Sequence, residues 1–350
     1  MLKSNQIMDT LKNYLTRSDL PILLLYNIDR EWPAADIKES EQAAEVLGQS
    51  LREIGHPVTE ARLEDSNLPH LLRSYAPEEY LVFNWCEELP KVPRSASHVT
   101  AALEDMGFVF TGADTEALVL AQDKERVKQM LDEHNVPTPR WKVFKSGRVE
   151  EWNIFPAIVK PVWEHCSFGV TRDAVVHSSA ELSERIKFIR KEFKQSALVE
   201  EFIDGREYHV GIIGNGRLKV LPAVEMDFSA FPSINDRLCT YDSKFDSESE
   251  SYNYIEYRLP APLTAAERKQ LESIALAAYR ATHCRDYARL DLRALNGTFY
   301  VLDVNPNADF SVETSLAMSA EMSGLSYGEL ASCLINLAAK RHPVFGKNAH

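Results

Sequence analysis

The chain has 350 residues, with 39 Lys+Arg against 52 Asp+Glu and a formal net charge of −13. At roughly 100–200 residues per domain that length holds two or three domains, and 45% hydrophobic with 26% charged residues is a folded rather than a disordered composition. The acidic balance argues against nucleic-acid binding, which needs clustered Lys and Arg. Apolar runs such as Ile22 to Leu25 with Tyr26 fall far short of the roughly 20 residues that cross a bilayer, so no membrane partner is expected. Residues 1–20 carry Asp9, Lys12, Arg17 and Asp19 and no apolar signal core. The five cysteines (86, 166, 239, 284 and 333) are dispersed and lack a C-x-x-C pair. A cytoplasmic protein without a zinc site or disulfide framework is expected.

Ile7, Met8, Leu11 and Leu15 predict a short lead helix over 5–15. A strand over 22–26 follows, then a helix over 37–54 with Val46, Leu47, Leu51 and Ile54 on one face and Gly55 as its stop. Strands over 58–63 and 80–84 and a helix over 96–106 complete a parallel α/β pattern. Asp123 caps a helix to about 134, and Val136-Pro-Thr-Pro139 forces an extended exit. Strands over 141–144, 157–160 and 197–202 surround a helix over 180–193. Longer strands, 207–214 and 217–226, are split by Gly214-Asn-Gly216. Thr264-Ala-Ala-Glu267 is a capping box that opens a helix to about 282. Residues 288–305 form two strands across Asn296-Gly297, and the aperiodic stretch between Phe228 and Glu256 has the length of an active-site lid.

The strongest constellation is Arg289-Leu-Asp291 followed by Asp303-Val-Asn305. Asp291, Asp303 and Asn305 are hard oxygen ligands suited to magnesium, provided the hairpin register brings them together. A two-residue Asn-Gly turn pairs Asp291 with Leu302 and turns Asp303 away. A three-residue loop, 295–297, pairs Arg289 with Asp303 and sets all four on one face, so the metal reading predicts that loop. Solvent-facing acids on a strand are the plainer alternative. Lys160 ends an apolar strand before a proline and needs an anion or a carboxylate, whereas Lys124 alone reads as a solvated helix residue. Glu164-His-Cys-Ser-Phe-Gly169 offers backbone amides and the Ser167 hydroxyl to a phosphate. Glu200 and Glu207 flank a turn.

In order and spacing, Asp-Lys, Ile-Val-Lys-Pro, Val-Glu-Glu-Phe-Ile-Asp-Gly-Arg-Glu, Tyr-Asp-Ser-Lys, Arg-Leu-Asp and Asp-Val-Asn resemble the ATP-grasp superfamily, specifically its D-alanine–D-alanine ligase branch. The resemblance runs from Val82-Phe-Asn-Trp-Cys-Glu-Glu88 to about Leu330. It implies an N-terminal parallel α/β domain over 1–120, then two ATP-grasp subdomains over 121–204 and 205–350 that clamp ATP between antiparallel sheets. It also implies that Lys124 and Lys160 hold the phosphates, that Glu200 and the Phe202–Ile203 backbone read the adenine, and that Glu207 binds the ribose. Asp291, Asp303 and Asn305 would hold two magnesium ions, with manganese as a substitute. Lys244, in a loop over about 231–256, matches the lysine brought to the γ-phosphate, and Arg289 the arginine that stabilises the oxyanion. Small-molecule carboxylate and amine substrates, an acyl phosphate intermediate and a homodimer follow from the same resemblance.

Three departures bear on the substrate. The phosphate loop keeps only Gly169, with His165 and Cys166 where small residues are usual. Asn305-Pro-Asn-Ala-Asp309 replaces a Pro-Gly turn and sets Asp309 where an acid disfavours a second carboxylate. Asn27-Ile-Asp-Arg-Glu31 stands in for a glycine-rich first loop, with Asp29 or Glu31 as amine-binding acid. The expected product is therefore an amide other than D-alanyl-D-alanine. A thiol or hydroxyl acceptor, or a retired nucleotide-binding module, are the alternatives.

Overall fold

The structure, a computed structural model, describes residues 14–146, 148–149, 151–165, 167–240 and 254–348. The expected lead helix over 5–15 falls almost wholly outside them, as do Cys166 and Lys244. β1 (Ile22–Asn27), β2 (Val58–Leu63), β3 (Leu81–Trp85) and β4 (Val109–Phe110) form a parallel sheet in the order β2-β1-β3-β4. β1 is buried along its whole length, as an unbroken apolar run requires of a strand covered on both faces. α1 (Ala34–Ile54) buries Ala44, Leu47, Gly48 and Leu51 and starts three residues before the predicted boundary, directly after Pro33. Val46 is not on that face. It is 45% exposed, because one residue turns a helix by about 100° away from Leu47. α2 (Leu68–Leu72), α3 (Ala96–Asp105) and α4 (Thr115–Gln122) complete this part; α2 and α4 are too short to show a readable period.

α5 (Lys124–Glu133) opens on the side chain of Asp123, which accepts from the Glu125 and Arg126 amides. β5 (Trp141–Phe144), β6 (Ala157–Pro161), β7 (Val175–Val176) and β8 (Ala197–Glu201) form an antiparallel sheet in the order β5-β8-β6-β7, backed by α6 (Ser179–Glu192). The third sheet holds β9 (Arg206–Ile213), β10 (Lys219–Val220), β11 (Val224–Asp227), β12 (Glu256–Arg258), β13 (Tyr287–Leu295) and β14 (Thr298–Pro306). Its order is β12-β11-β9-β13-β14, with β10 on β9. The strand expected over 217–226 is broken between β10 and β11, where Pro222 lacks the amide a ladder needs. α7 (Ala265–Ala281) carries the complete Thr264–Glu267 capping box. α8 (Ser315–Met322) and α9 (Tyr327–Ala339) follow, and α9 packs with α1 and β1 into one core through Leu330, Leu334, Leu47 and Leu24.

The β13–β14 hairpin corrects the predicted loop. Leu295 pairs with Thr298 across a two-residue Asn296-Gly297 turn, both at positive φ. A bulge then shifts the register so that Asp291 faces Asp303 and Arg289 faces Asn305. The packing explains the choice. A three-residue loop would pair Arg289 with Asp303 but carry Phe299 and Val301 to the polar face, whereas both are buried in the core with Leu290 and Leu292. Taking Leu302 as the extra residue keeps Phe299, Val301 and Val304 all inside and still turns Asp303 and Asn305 out.

Candidate active site

Strand alternation builds one polar face. Tyr208, Val210 and Ile212 of β9 point into the core, so Glu207 and His209 point out; β13 does the same with Leu290 and Leu292 against Arg289, Asp291 and Arg293. Cross-strand pairing then sets Arg293 opposite Glu207 and Asp291 opposite His209. Arg293 Nε donates to Glu207 Oε2 at 2.7 Å and its Nη1 to the Ile203 carbonyl at 2.9 Å, with the guanidinium 4.8 Å from the Phe202 ring centroid. Burial opposes ionisation of Glu207, but Arg293 and His209 overcome it and hold the carboxyl well below the usual range. His209 Nε2 lies 3.7 Å from Glu207 Oε1 and 3.8 Å from Asp291 Oδ1.

Arg289 forks onto Asp291, Nε to Oδ1 at 2.8 Å and Nη2 to Oδ2 at 3.1 Å. Asn305 Nδ2 donates to Asp291 Oδ2 at 3.1 Å. All three expected magnesium ligands thus share one face, and their oxygens are the donor set that this ion takes. Asp303 meets the lysines: Lys124 Nζ is 3.6 Å from its Oδ2. Burial raises Asp303, yet Lys124 and Lys160 outweigh that and hold it well below the ordinary carboxylate range. Lys124 Nζ is buried with no hydrogen-bond partner among the described residues. A buried ammonium left in that state fits a phosphate oxygen.

Lys160 Nζ lies 2.8 Å from Glu200 Oε2, and Lys128 Nζ lies 2.6 Å from Glu200 Oε1. The Glu200 side chain is 1% exposed, and its carboxylate is held between the two lysines. The Phe202 amide donates to the Pro156 carbonyl. Ser167, at φ 62°, gives its hydroxyl to the Cys239 carbonyl at 2.7 Å, which ties the expected phosphate loop to the described part of the expected lid. Burial, then the Lys124 charge, pushes His165 down to about 4.

The two expected substrate acids stand apart from this face. Glu31 is exposed and pairs with Lys91 Nζ at 2.5 Å, while Asp29 accepts from the Glu31 and Lys91 amides. Asp309 is exposed and accepts from the Ser311 amide and hydroxyl. The crowding of its cleft, then the Asp309 charge, pushes Glu87 up to about 7, although its side chain still reaches solvent. Sequence reasoning missed Lys128, Arg293, His209 and Glu87. Two carried signals: Lys128 falls with Lys124, Val127 and Leu131 on one helical face, and Arg293 continues the alternation of Arg289 and Asp291.

Residues 129–336 match a family model described as the D-ala D-ala ligase C-terminus. The D-alanine–D-alanine ligase of Aquifex aeolicus is 30% identical over 300 residues, covering 85% of this chain and 94% of that protein. The chain belongs to the D-alanine–D-alanine ligase family. Another relative of this ligase, an uncharacterized protein (y4sG) of Sinorhizobium fredii, is 32% identical over 318 residues, 89% of this chain and 90% of its own. In fold the ligase resembles the Bacillus anthracis D-alanine–D-alanine ligase solved in complex with ATP, with a TM-score of 0.70 at 20% identity, covering 92% of this chain and 98% of that one. It is an ATP-grasp ligase, with the α/β and antiparallel sheets that its sequence motifs implied. No helix among the described residues is long and apolar enough to cross a membrane.

Proposed function

We propose that this ligase joins a carboxylate to an amine at the expense of ATP, through an acyl phosphate, and releases ADP, phosphate and a dipeptide-like amide. The observation that carries the reading is the charged face of Arg289, Asp291, Asp303 and Asn305 meeting the Lys124 ammonium. A free carboxylate is a poor acceptor for an amine because oxide cannot leave; phosphorylation supplies a leaving group that cations stabilise. Lys124 and Lys160 act as point charges for the phosphates. Asp291, Asp303 and Asn305 would hold magnesium, which supplies charge neutralisation at the β- and γ-phosphates when bound. Arg289 leaves Asp291 for the developing oxyanion, and Lys244, which lies outside the described residues, is assigned to the γ-phosphate by its Tyr-Asp-Ser-Lys motif alone. The ATP bound to the Bacillus anthracis enzyme supports the choice of nucleotide.

The acceptor is a cationic amine rather than D-alanine. Asp309 and Glu87 act on one another, and two acids there repel a second carboxylate and attract a positive group. The test is phosphate release from ATP and magnesium across D- and L-amino-acid pairs, cationic acceptors included, with mass spectrometry of the products. The expected result is an ATP-dependent amide whose acceptor KM rises as pH falls and Glu87, held above the usual glutamate range, takes its proton. D-alanyl-D-alanine as the preferred product overturns the acceptor assignment. Phosphate release without an amide points to a thiol or hydroxyl acceptor, and silence in protein that binds ATP points to a retired module.

A further inference from the structure

Lys128 has no part in the machinery described so far, yet it is among the most enclosed cations of the chain, with a side chain 2% exposed. It sits one helical turn after Lys124 on the buried face of α5 with Val127 and Leu131. Four acceptors converge on its ammonium: Glu200 Oε1 at 2.6 Å, Thr138 Oγ1 at 2.7 Å, the Leu302 carbonyl at 3.1 Å and the Val301 carbonyl at 3.3 Å. They come from β8, from the exit segment after α5, and from the bulge in β14. Thr138 relays the contact by donating its own proton to the Val301 carbonyl at 2.8 Å, and the Val301 amide donates to the Pro137 carbonyl at 2.8 Å.

The bulge is where β14 changes parity. Leu302 is the residue with no opposite number on β13, so its carbonyl lies outside the regular ladder and needs another donor. Lys128 is that donor. An ammonium carries three protons in a compact tetrahedral head: one for the carboxylate, one for the hydroxyl and one shared between the two bulge carbonyls at 3.1 and 3.3 Å. An apolar side chain of similar length, such as methionine, would serve none of them.

We propose that Lys128 is a positioning residue: it pins the Leu302 bulge, and so holds Asp303 on the metal-binding face, while it anchors Glu200 beside Lys160. The inference rests on the nucleotide reading of the cleft. Its function is carried by backbone position, so charge neutralisation of Glu200 alone does not replace it.

The test uses the full chain and three variants: Lys128→Met, Lys128→Arg, and Lys128→Met with Glu200→Gln. In Lys128→Met the Glu200 carboxylate keeps Lys160 as its partner at 2.8 Å; the double variant removes that carboxylate's charge as well, leaving Lys160 to Asp303 and Glu207, and so separates the loss of the bulge anchor from the loss of the ion pair. Two readouts apply: amide exchange across 298–306 in protein free of metal and nucleotide, and binding of a non-hydrolysable ATP analogue as magnesium is varied. Lys128→Met and the double variant should exchange faster at 301–303. Their magnesium requirement for half-maximal binding should rise about tenfold, the scale on which partners of metal ligands act. Binding without magnesium should change far less, and Lys128→Arg should recover part of the loss. Wild-type exchange and magnesium requirement in the double variant would overturn the proposal, leaving Lys128 as a counter-ion. Failure of the wild-type chain to bind the analogue would overturn the nucleotide reading, and the assignment toward the metal with it.

Discussion

Arg293 shows how much one side chain carries on the polar face. Its fork joins Glu207 to the Ile203 carbonyl, and its plane stacks between the rings of Phe202 and Phe228, 4.8 and 5.4 Å from their centroids. Removing one partner of a buried pair strands the other, which costs about 3–5 kcal/mol. Arg293→Met should therefore lower the unfolding free energy by that order in denaturant titrations, and Arg293→Met with Glu207→Gln by clearly less. The pH sign follows from Glu207. Its folded-state pKa is depressed, so the pair's contribution is present above the ordinary glutamate value and lost as pH falls toward the folded one. The Arg293→Met chain should lack that acid-side loss. The sequence reading singled out neither Arg293 nor Lys128, because each is ordinary by itself; only the identity of their partners, far off in the chain, makes them structural.

At the scale of the element, the β13–β14 hairpin decides whether the proposed metal ligands exist as a set. Its turn holds Asn296 at φ 52° and Gly297 at φ 80°, a pair of left-handed residues that matches the twist of a two-residue hairpin. A side chain at 297 meets no neighbour, so its cost is the backbone conformation alone. Gly297→Ala should destabilise the ligase by about 1–2 kcal/mol. The magnesium requirement for nucleotide binding should stay at the wild-type value, because the bulge is held at its far side by Lys128 and not by the turn. A shifted requirement would mean that the turn sets the register of the whole hairpin. The three-residue loop was the wrong expectation for a reason visible in the residues. Phe299, Val301 and Val304 break the two-residue alternation between 301 and 304, and that break is the signature of a bulge.

At the scale of the molecule, one carboxylate ties the parts that frame the cleft. Asp286, wholly buried and at φ 62°, accepts from Arg341 twice at 2.7 Å, from the Gly112 amide at 2.8 Å and from Asn215 Nδ2 at 2.6 Å. Those partners follow α9, β4 and β9 respectively. Beside it Asn307 accepts from the Ala113 amide at 2.7 Å, and a Cβ on Gly112 would lie 2.1 Å from the Asn307 side chain. The strand that bears Asp303 and Asn305, two of the proposed metal ligands, is thereby seated against the N-terminal sheet. Asp286→Ala strands Arg341 and an amide together, so unfolding free energy should fall by about 3–5 kcal/mol, read by denaturant titration. A change under about 1 kcal/mol would reduce this network to a surface-like pair.

Local physics was legible from the chain itself. The buried run of β1, the Asp123 cap of α5, the Thr264–Glu267 capping box of α7 and the Asn-Gly turn follow from nearest neighbours in sequence, because caps, turns and periods are set within a few residues. The ordered motifs likewise fixed the family. The tertiary structure alone decided which charges meet: Glu200 turned to two lysines, Ser167 bonded to Cys239, Arg293 locked on Glu207, and Asp303 brought opposite Asp291 by a bulge. Those contacts join residues 12 to 86 apart in the chain, and their energies depend on burial and geometry that no local pattern specifies.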